Sequence, residues 1–211
     1  ENHDPQIANE AEKFVKQGPG RRIVLQLAEE FAQAAQTKSI KKASEAGPQD
    51  MLKGLLAYLR ALSWNYSTSH WQAMGPTSYS DHLLFQRLYE KTVEEIDALA
   101  EKMVGLWAPT MVDSAEQAEL MSLATQVMAK EGNPFLRAHN AETIFQVAIK
   151  QALDLGDQLT PGLDDLLRTI ANDHETHLYL IKVRLWDPNT TPTSITNRVA
   201  ARHMLLLGGN Y

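Results

Sequence analysis

The 211-residue sequence contains no cysteine. That absence removes disulfides, thiolate metal sites and cysteine nucleophiles together, so any bound metal must be held by His, Asp and Glu. No run approaches the roughly 20 apolar residues needed to span a bilayer. Nothing resembles the apolar core of a signal peptide. The expected compartment is the cytoplasm, although a chain that begins at Glu1 rather than Met leaves room for a removed leader. A basic surplus is also missing. The formal charge of -6 argues against binding nucleic acid through global basicity and suits a protein that concentrates cations. Glycine-rich phosphate loops and a nucleophile elbow are not found. No glutamate is followed by a histidine three residues on. That disfavours the common di-iron carboxylate site and the oxygenases and manganese catalases built on it.

What is present is helical periodicity in a chain that is 44% apolar, enough for a sizeable core. Val24, Leu27, Ala28, Phe31, Ala34 and Ala35 mark one amphipathic helix within Arg21–Ala46. After Gly47-Pro48, Leu52, Leu55, Leu56, Leu59 and Leu62 share the face of a second, expected to run to about Met74 before Gly75-Pro76. Ser78 or Ser80 is expected to cap a third, reaching Trp107 with Leu84, Leu88, Ile96, Leu99 and Met103 inward. Ser114 with Gln117 reads as a capping box for a shorter helix to Lys130. Asn133-Pro134 opens a long helix ending near Gly156, and Thr160-Pro161 opens the last, ending before Asp187-Pro188. No strand-like alternation competes. The expected architecture is all-α: a four-helix bundle with a short helix in its middle crossover over 47–187. An N-terminal helical extension covers 1–46 and a tail 188–211.

The residues able to carry chemistry are His70, His82, Asp97 and Glu101. Asp97 and Glu101 are four apart and share a helix face, while the Gly75-Pro76 turn can bring the two imidazoles together. Two imidazoles and two carboxylates suit Fe(II), Mn or Zn. His82 and Asp97, fifteen residues apart on one helix, lie roughly 22 Å apart along its axis and cannot ligate one ion within one chain. Two copies packed antiparallel about a two-fold axis near Glu90 would bring His70 and His82 of one against Asp97 and Glu101 of the other. If the four form one site, that site is inter-subunit. The plainer reading is satisfied or solvated surface residues, and the spacing alone does not exclude it.

His70-Trp71, Gly75-Pro76, His82, Asp97 and Glu101 together resemble the ferroxidase signature of the Dps, or mini-ferritin, branch of the ferritin-like proteins. That signature has a His-Trp pair, a second His twelve residues on, an Asp fifteen further and a Glu four after that. Glu175-Thr176-His177-Leu178-Tyr179-Leu180-Ile181 is a weaker echo of a family stretch in the last helix. The resemblance spans about 48–187. It implies a ferritin-like fold, a hollow dodecamer, and catalytic iron sites at the two-fold interface with His70 and His82 from one subunit and Asp97 and Glu101 from its neighbour. It also implies oxidation of Fe(II) by hydrogen peroxide or O2 and storage as ferric mineral. Trp71 would sit beside the site; its other reading is core packing. Where many members have an Asp four residues after the second His, this chain has Gln86, so one firm and one loose iron position are expected. Asp81 is a poor substitute, pointing about 100° away from His82 around the helix.

Other features have milder readings. Glu90, Glu94, Glu95, Asp97 and Glu101 form a solvated face or line a path to mineral. His174 and His177, three apart near Asp173 and Glu175, could bind a metal on the last helix, but the resemblance makes His177 ordinary there. His139 has no convincing partner in sequence. DNA protection through basic tails is the rival function. Residues 1–20 have the wrong sign for it, whereas Arg21, Arg22, Lys38, Lys41, Lys42, Arg198 and Arg202 are more suggestive. A cage that binds Zn or Mn without oxidation is the third reading.

Overall fold

The structure, a computed structural model, describes residues 47–186. The expected extension helix in 1–46 and the tail after 187 lie outside the described residues. Every regular element among the described residues is helical: α1 is Pro48–Trp71, α2 Ser78–Leu106, α3 Ser114–Met128, α4 Pro134–Leu153 and α5 Pro161–Leu185. None is long and apolar enough to cross a membrane.

Local chemistry explains most of the boundaries. Pro48, Pro134 and Pro161 each stand in the first turn of a helix, where the missing N–H is no loss. The Asn133 side chain accepts hydrogen bonds from the backbone N–H of Phe135 and Leu136, and Thr160 accepts one from Leu163. The cap of α3 differs from expectation by one residue. Asp113, not Ser114, is the cap and accepts from the Glu116 N–H, and its carboxylate also meets the positive end of the helix dipole. Gln117 is instead buried and donates to the Lys53 carbonyl. At α2 the cap is Thr77, whose hydroxyl turns to the Asp81 carboxylate rather than to a backbone N–H. Helix α1 stops at Trp71, short of Met74, and Gly75 makes the reversal at φ 92°.

α1 lies along α2, α4 along α5, α1 also meets α4, and α2 meets α5, closing a four-helix bundle. Helix α3, in the connection from α2 to α4, docks on α1 through the Lys53 to Glu116 ion pair at 2.9 Å. The core is a set of stripes: Leu52, Leu55, Leu56, Leu59, Leu62 and Tyr66 of α1 are buried, as are Phe85, Leu88, Thr92, Glu95, Leu99 and Met103 of α2. Leu84 and Ile96, expected inward, are only half-buried, because Phe85 and Glu95 hold the inner positions. Each fully buried leucine contributes roughly 1.5–3 kcal/mol. The stripes place polar groups at the centre. Glu142 falls between Ala138 and Phe145 on α4, and His174 and His177 between Ile170 and Ile181 on α5.

Candidate metal centres

The α1–α2 turn does bring His70 and His82 together. Their rings stack with centroids 3.6 Å apart at 29°. The Nδ1 of His70 donates to the His82 carbonyl at 3.0 Å, and the Nδ1 of His82 donates to the His70 carbonyl at 3.1 Å. Donation to a carbonyl puts the proton on Nδ1 and leaves Nε2 with its lone pair as the metal donor, the arrangement that orients ligating imidazoles. Tyr89 stands edge-on to His70 at 5.9 Å. Both histidines are half-buried.

Asp97 and Glu101 are not part of this cluster within the chain. They lie on the same helix as His82, which runs unbroken from Ser78 to Leu106, so about 22 Å of axis separates Asp97 from it. Both carboxylates are exposed. His82, Gln86, Val93, Asp97 and Glu101 nevertheless fall within about 100° of one another around α2. Val93, between them, is 48% exposed. Trp71 is 65% exposed, which excludes core packing within the chain. Gln86 donates to Glu90 at 2.8 Å. Asp81 is committed elsewhere: it pairs with Arg184 of α5 at 2.6 Å and accepts from Thr77 at 2.9 Å. The Arg184 hydrogen bonds hold its carboxyl below the ordinary value despite partial burial.

A second constellation occupies the bundle centre. Glu142 of α4 and His174 and His177 of α5 are all buried, and one donor atom from each lies within 4.8 Å of the others. His174 bridges two carboxylates, with Nδ1 at 2.7 Å from Glu142 Oε2 and Nε2 at 2.8 Å from Glu95 Oε2. His177 Nδ1 is 3.3 Å from Glu142 Oε1, and the Tyr66 hydroxyl of α1 donates to that same oxygen. Every long helix contributes. Burial alone would raise the Glu142 carboxyl, but the charge and hydrogen bonds of His174, with the bond from His177, hold it well below the carboxylate range. Burial alone would lower His174, and Glu142 and Glu95 together raise it above the ordinary imidazole value. Burial, with Glu142 beside it, pushes the Tyr66 phenol up.

The reading of Glu95 as part of a solvated acidic face is corrected: Glu95 is 4% exposed and faces the core. Its neighbours do stay outside. Glu90, Glu94, Lys91, Arg87, Asp173, Thr176 and His177 line a surface cleft of about 290 Å³ that reaches the edge of the buried cluster. Sequence reasoning noticed His174 and His177 but missed Glu142, Glu95 and Tyr66. The available signal was positional: each carboxylate interrupts an apolar stripe at an inward register.

No protein-family model matches the chain. Among curated proteins it is similar to general stress protein 20U of Bacillus subtilis, 29% identical over 122 residues, covering 55% of this chain and 81% of that one. It is also similar to DNA protection during starvation protein 2 of Bacillus anthracis, 22% identical over 121 residues with the same coverage. Among solved structures it is similar to DpsC from Streptomyces coelicolor, with a TM-score of 0.59, 22% identity, and 68% of this chain and 86% of that one covered. The last likeness speaks for the fold, a ferritin-like helical bundle.

Proposed function

We propose, from the Dps-like family that these relatives and the fold support, that this protein is a ferroxidase that stores iron. In this reading it acts in the cytoplasm as a homo-oligomeric cage, a dodecamer, with the bundle domain 47–187 carrying the chemistry. The substrate is Fe(II), bound at two-fold interfaces by His70 and His82 of one subunit and Asp97 and Glu101 of the next. Trp71 and Gln86 flank the site.

One observation carries the reading: His70 and His82 lock each other by reciprocal Nδ1–H to carbonyl bonds, so both Nε2 atoms are held ready as donors. The carboxylates that would complete an iron shell lie too far along α2 to come from the same chain, which supports a second copy as their source. Exposed Val93, between the His82 and Asp97 ends of that face, suits burial against such a copy. Anionic carboxylates favour Fe(III) over Fe(II) and so promote loss of the electron. The reaction balances with two Fe(II) each giving one electron to one hydrogen peroxide. The O–O bond breaks, and with two waters the products are two ferric oxyhydroxide units and four protons. Gln86 brings an oxygen without charge, so the second iron binds more weakly than the first.

Stopped-flow absorbance after mixing Fe(II) with peroxide or air tests this. Wild type is expected to form ferric product at least about 100-fold faster than a His70→Ala/His82→Ala variant, since losing ligands exceeds the 10–100-fold cost of losing their supporting partners. Rates equal to the buffer blank in both proteins would sink the proposal and leave a Zn- or Mn-binding cage. The basic residues suggestive of DNA binding lie outside the described residues, and a salt-dependent gel shift tests that rival separately.

A further inference from the structure

We propose that the bundle centre of each subunit is a second, intra-subunit metal site, binding one divalent first-row transition ion through Glu142, His174 and His177. The site is chemically distinct from the inter-subunit one and does not rest on it, because none of its residues is shared. Its three donors come from α4 and α5, and each is at least nine-tenths buried. A four-coordinate ion with bonds near 2.1 Å needs donors about 3.4 Å apart. Donors already within 4.8 Å reach that spacing by small side-chain rotations. Two imidazoles and a carboxylate, with one position left over, form an open N/O set that fits Zn(II), Fe(II) or Co(II).

The surrounding groups are placed as a supporting shell would be. His174 presents Nδ1 to Glu142 while its Nε2 faces Glu95. With a metal on Nδ1, the Nε2–H donates to Glu95, giving a carboxylate–imidazole–metal relay. Tyr66 donates to Glu142 and fixes the carboxylate plane. The independent sign of a missing ligand is Glu95 Oε1, which is buried beside His174 and has no hydrogen-bond partner. A buried acceptor left without a donor costs roughly 1–3 kcal/mol or more. An ion brings positive charge into a site with two buried carboxylates, and its bound water brings a donor. The cleft of about 290 Å³ that His177 helps to line carries Glu90, Glu94 and Asp173 beside Arg87 and Lys91, with Lys91 paired to Asp173 at 3.1 Å. On binding, each imidazole gives the ion a ring nitrogen that carries no proton and keeps one N–H on its other nitrogen, as His174 does toward Glu95, and any proton in excess of one per ring leaves to solvent.

The competing reading is a metal-free polar network that only holds the helices in register. The two are separated by titrating the full-length, chelator-treated His70→Ala/His82→Ala variant with Co(II). Visible absorption and elemental analysis after desalting give the readout. The variant lacks the inter-subunit imidazoles but leaves the core untouched. We expect about one Co(II) per chain with the intense d–d bands of a low-coordinate site, and affinity lowered on the order of 10–100-fold by adding Glu95→Gln. A folded double variant that retains no Co(II) overturns the proposal, and so does retention unchanged by a further His177→Gln substitution. If that triple variant fails to fold, X-ray absorption of the Co(II)-loaded double variant decides instead. Two imidazole nitrogens in the shell uphold the site, and an all-oxygen shell refutes it.

Discussion

The molecule carries two pairs of histidines, and their surroundings are opposites. His70 and His82 stand half-buried at one end of the bundle, with Nδ1 satisfied by backbone carbonyls and, among the described residues, no carboxylate bonded to either ring. His174 and His177 are buried at its middle, with carboxylates from two other helices already in contact. In the proposed readings, the first pair is half of a site and the second is nearly a whole one. The contrast teaches that a ligand set divided between helix ends calls for a second subunit, whereas one gathered at a single level of a bundle needs only the fold. It also separates cost from use. The outer pair can be altered without disturbing the core, while the inner group is built into it.

The largest effect should come from the inner group. Replacing Glu142 with Gln removes the carboxylate facing both histidines and Tyr66, and leaves buried groups uncompensated, at a cost of about 3–5 kcal/mol. A large fall in the urea midpoint of the metal-free protein checks this; an unchanged midpoint would show that the network contributes nothing. Next is a mixing experiment on the outer site. A His70→Ala/His82→Ala chain and an Asp97→Ala/Glu101→Ala chain should each be inactive. Co-refolded in equal amounts they should recover about a quarter of wild-type ferroxidase activity, since random pairing makes half the interfaces mixed and each mixed interface has one intact site of two. Recovery of nothing would mean that the site is not shared.

Smaller effects sharpen the same contrast. Gly75→Ala meets no neighbour but puts a side chain at φ 92°, so it should cost about 1 kcal/mol and loosen the His70–His82 clasp without touching the inner cluster. Paired NMR signals of the four imidazoles would report which move. The smallest is the Asp81–Arg184 clamp, which ties the first turn of α2 to the end of α5. Asp81 titrates below its ordinary value in the folded state. Its contribution is therefore present above the unfolded Asp range near pH 4 and fades as pH falls through the lowered folded value. Asp81→Asn should flatten that acid-side loss, by less than about 1 kcal/mol because Arg184 is partly exposed. Acid unfolding curves of the two proteins measure it.

Legibility in the sequence followed the range of the interactions. Asn133-Pro134 and Thr160-Pro161 announced their helices because a cap is decided within four residues. The α3 cap was misassigned by one residue because Asp113 and Ser114 are both competent caps, and only the backbone angles at 113 choose. The meeting of His70 and His82 was foreseeable from Gly75-Pro76, since a short turn leaves two helices little freedom. Glu95 was not. It sits one residue from Glu94 and five from Glu90, both exposed, and its burial depends on the rotational phase of α2. Leu88, Leu99 and Met103 of the expected stripe are buried, while Leu84 and Ile96 yield the inner positions to Phe85 and Glu95.

By itself, then, the sequence determined an all-helical chain, the number and order of its helices between 47 and 186, and the pairing of His70 with His82. These depend on periodicity, caps and one tight turn, all short-range. Only the tertiary structure decided that Glu95, Glu142, His174, His177 and Tyr66 converge. Their separations along the chain are erased by packing four helices about one axis, and whether a carboxylate points at water or at an imidazole is fixed by how its helix is rotated against three others.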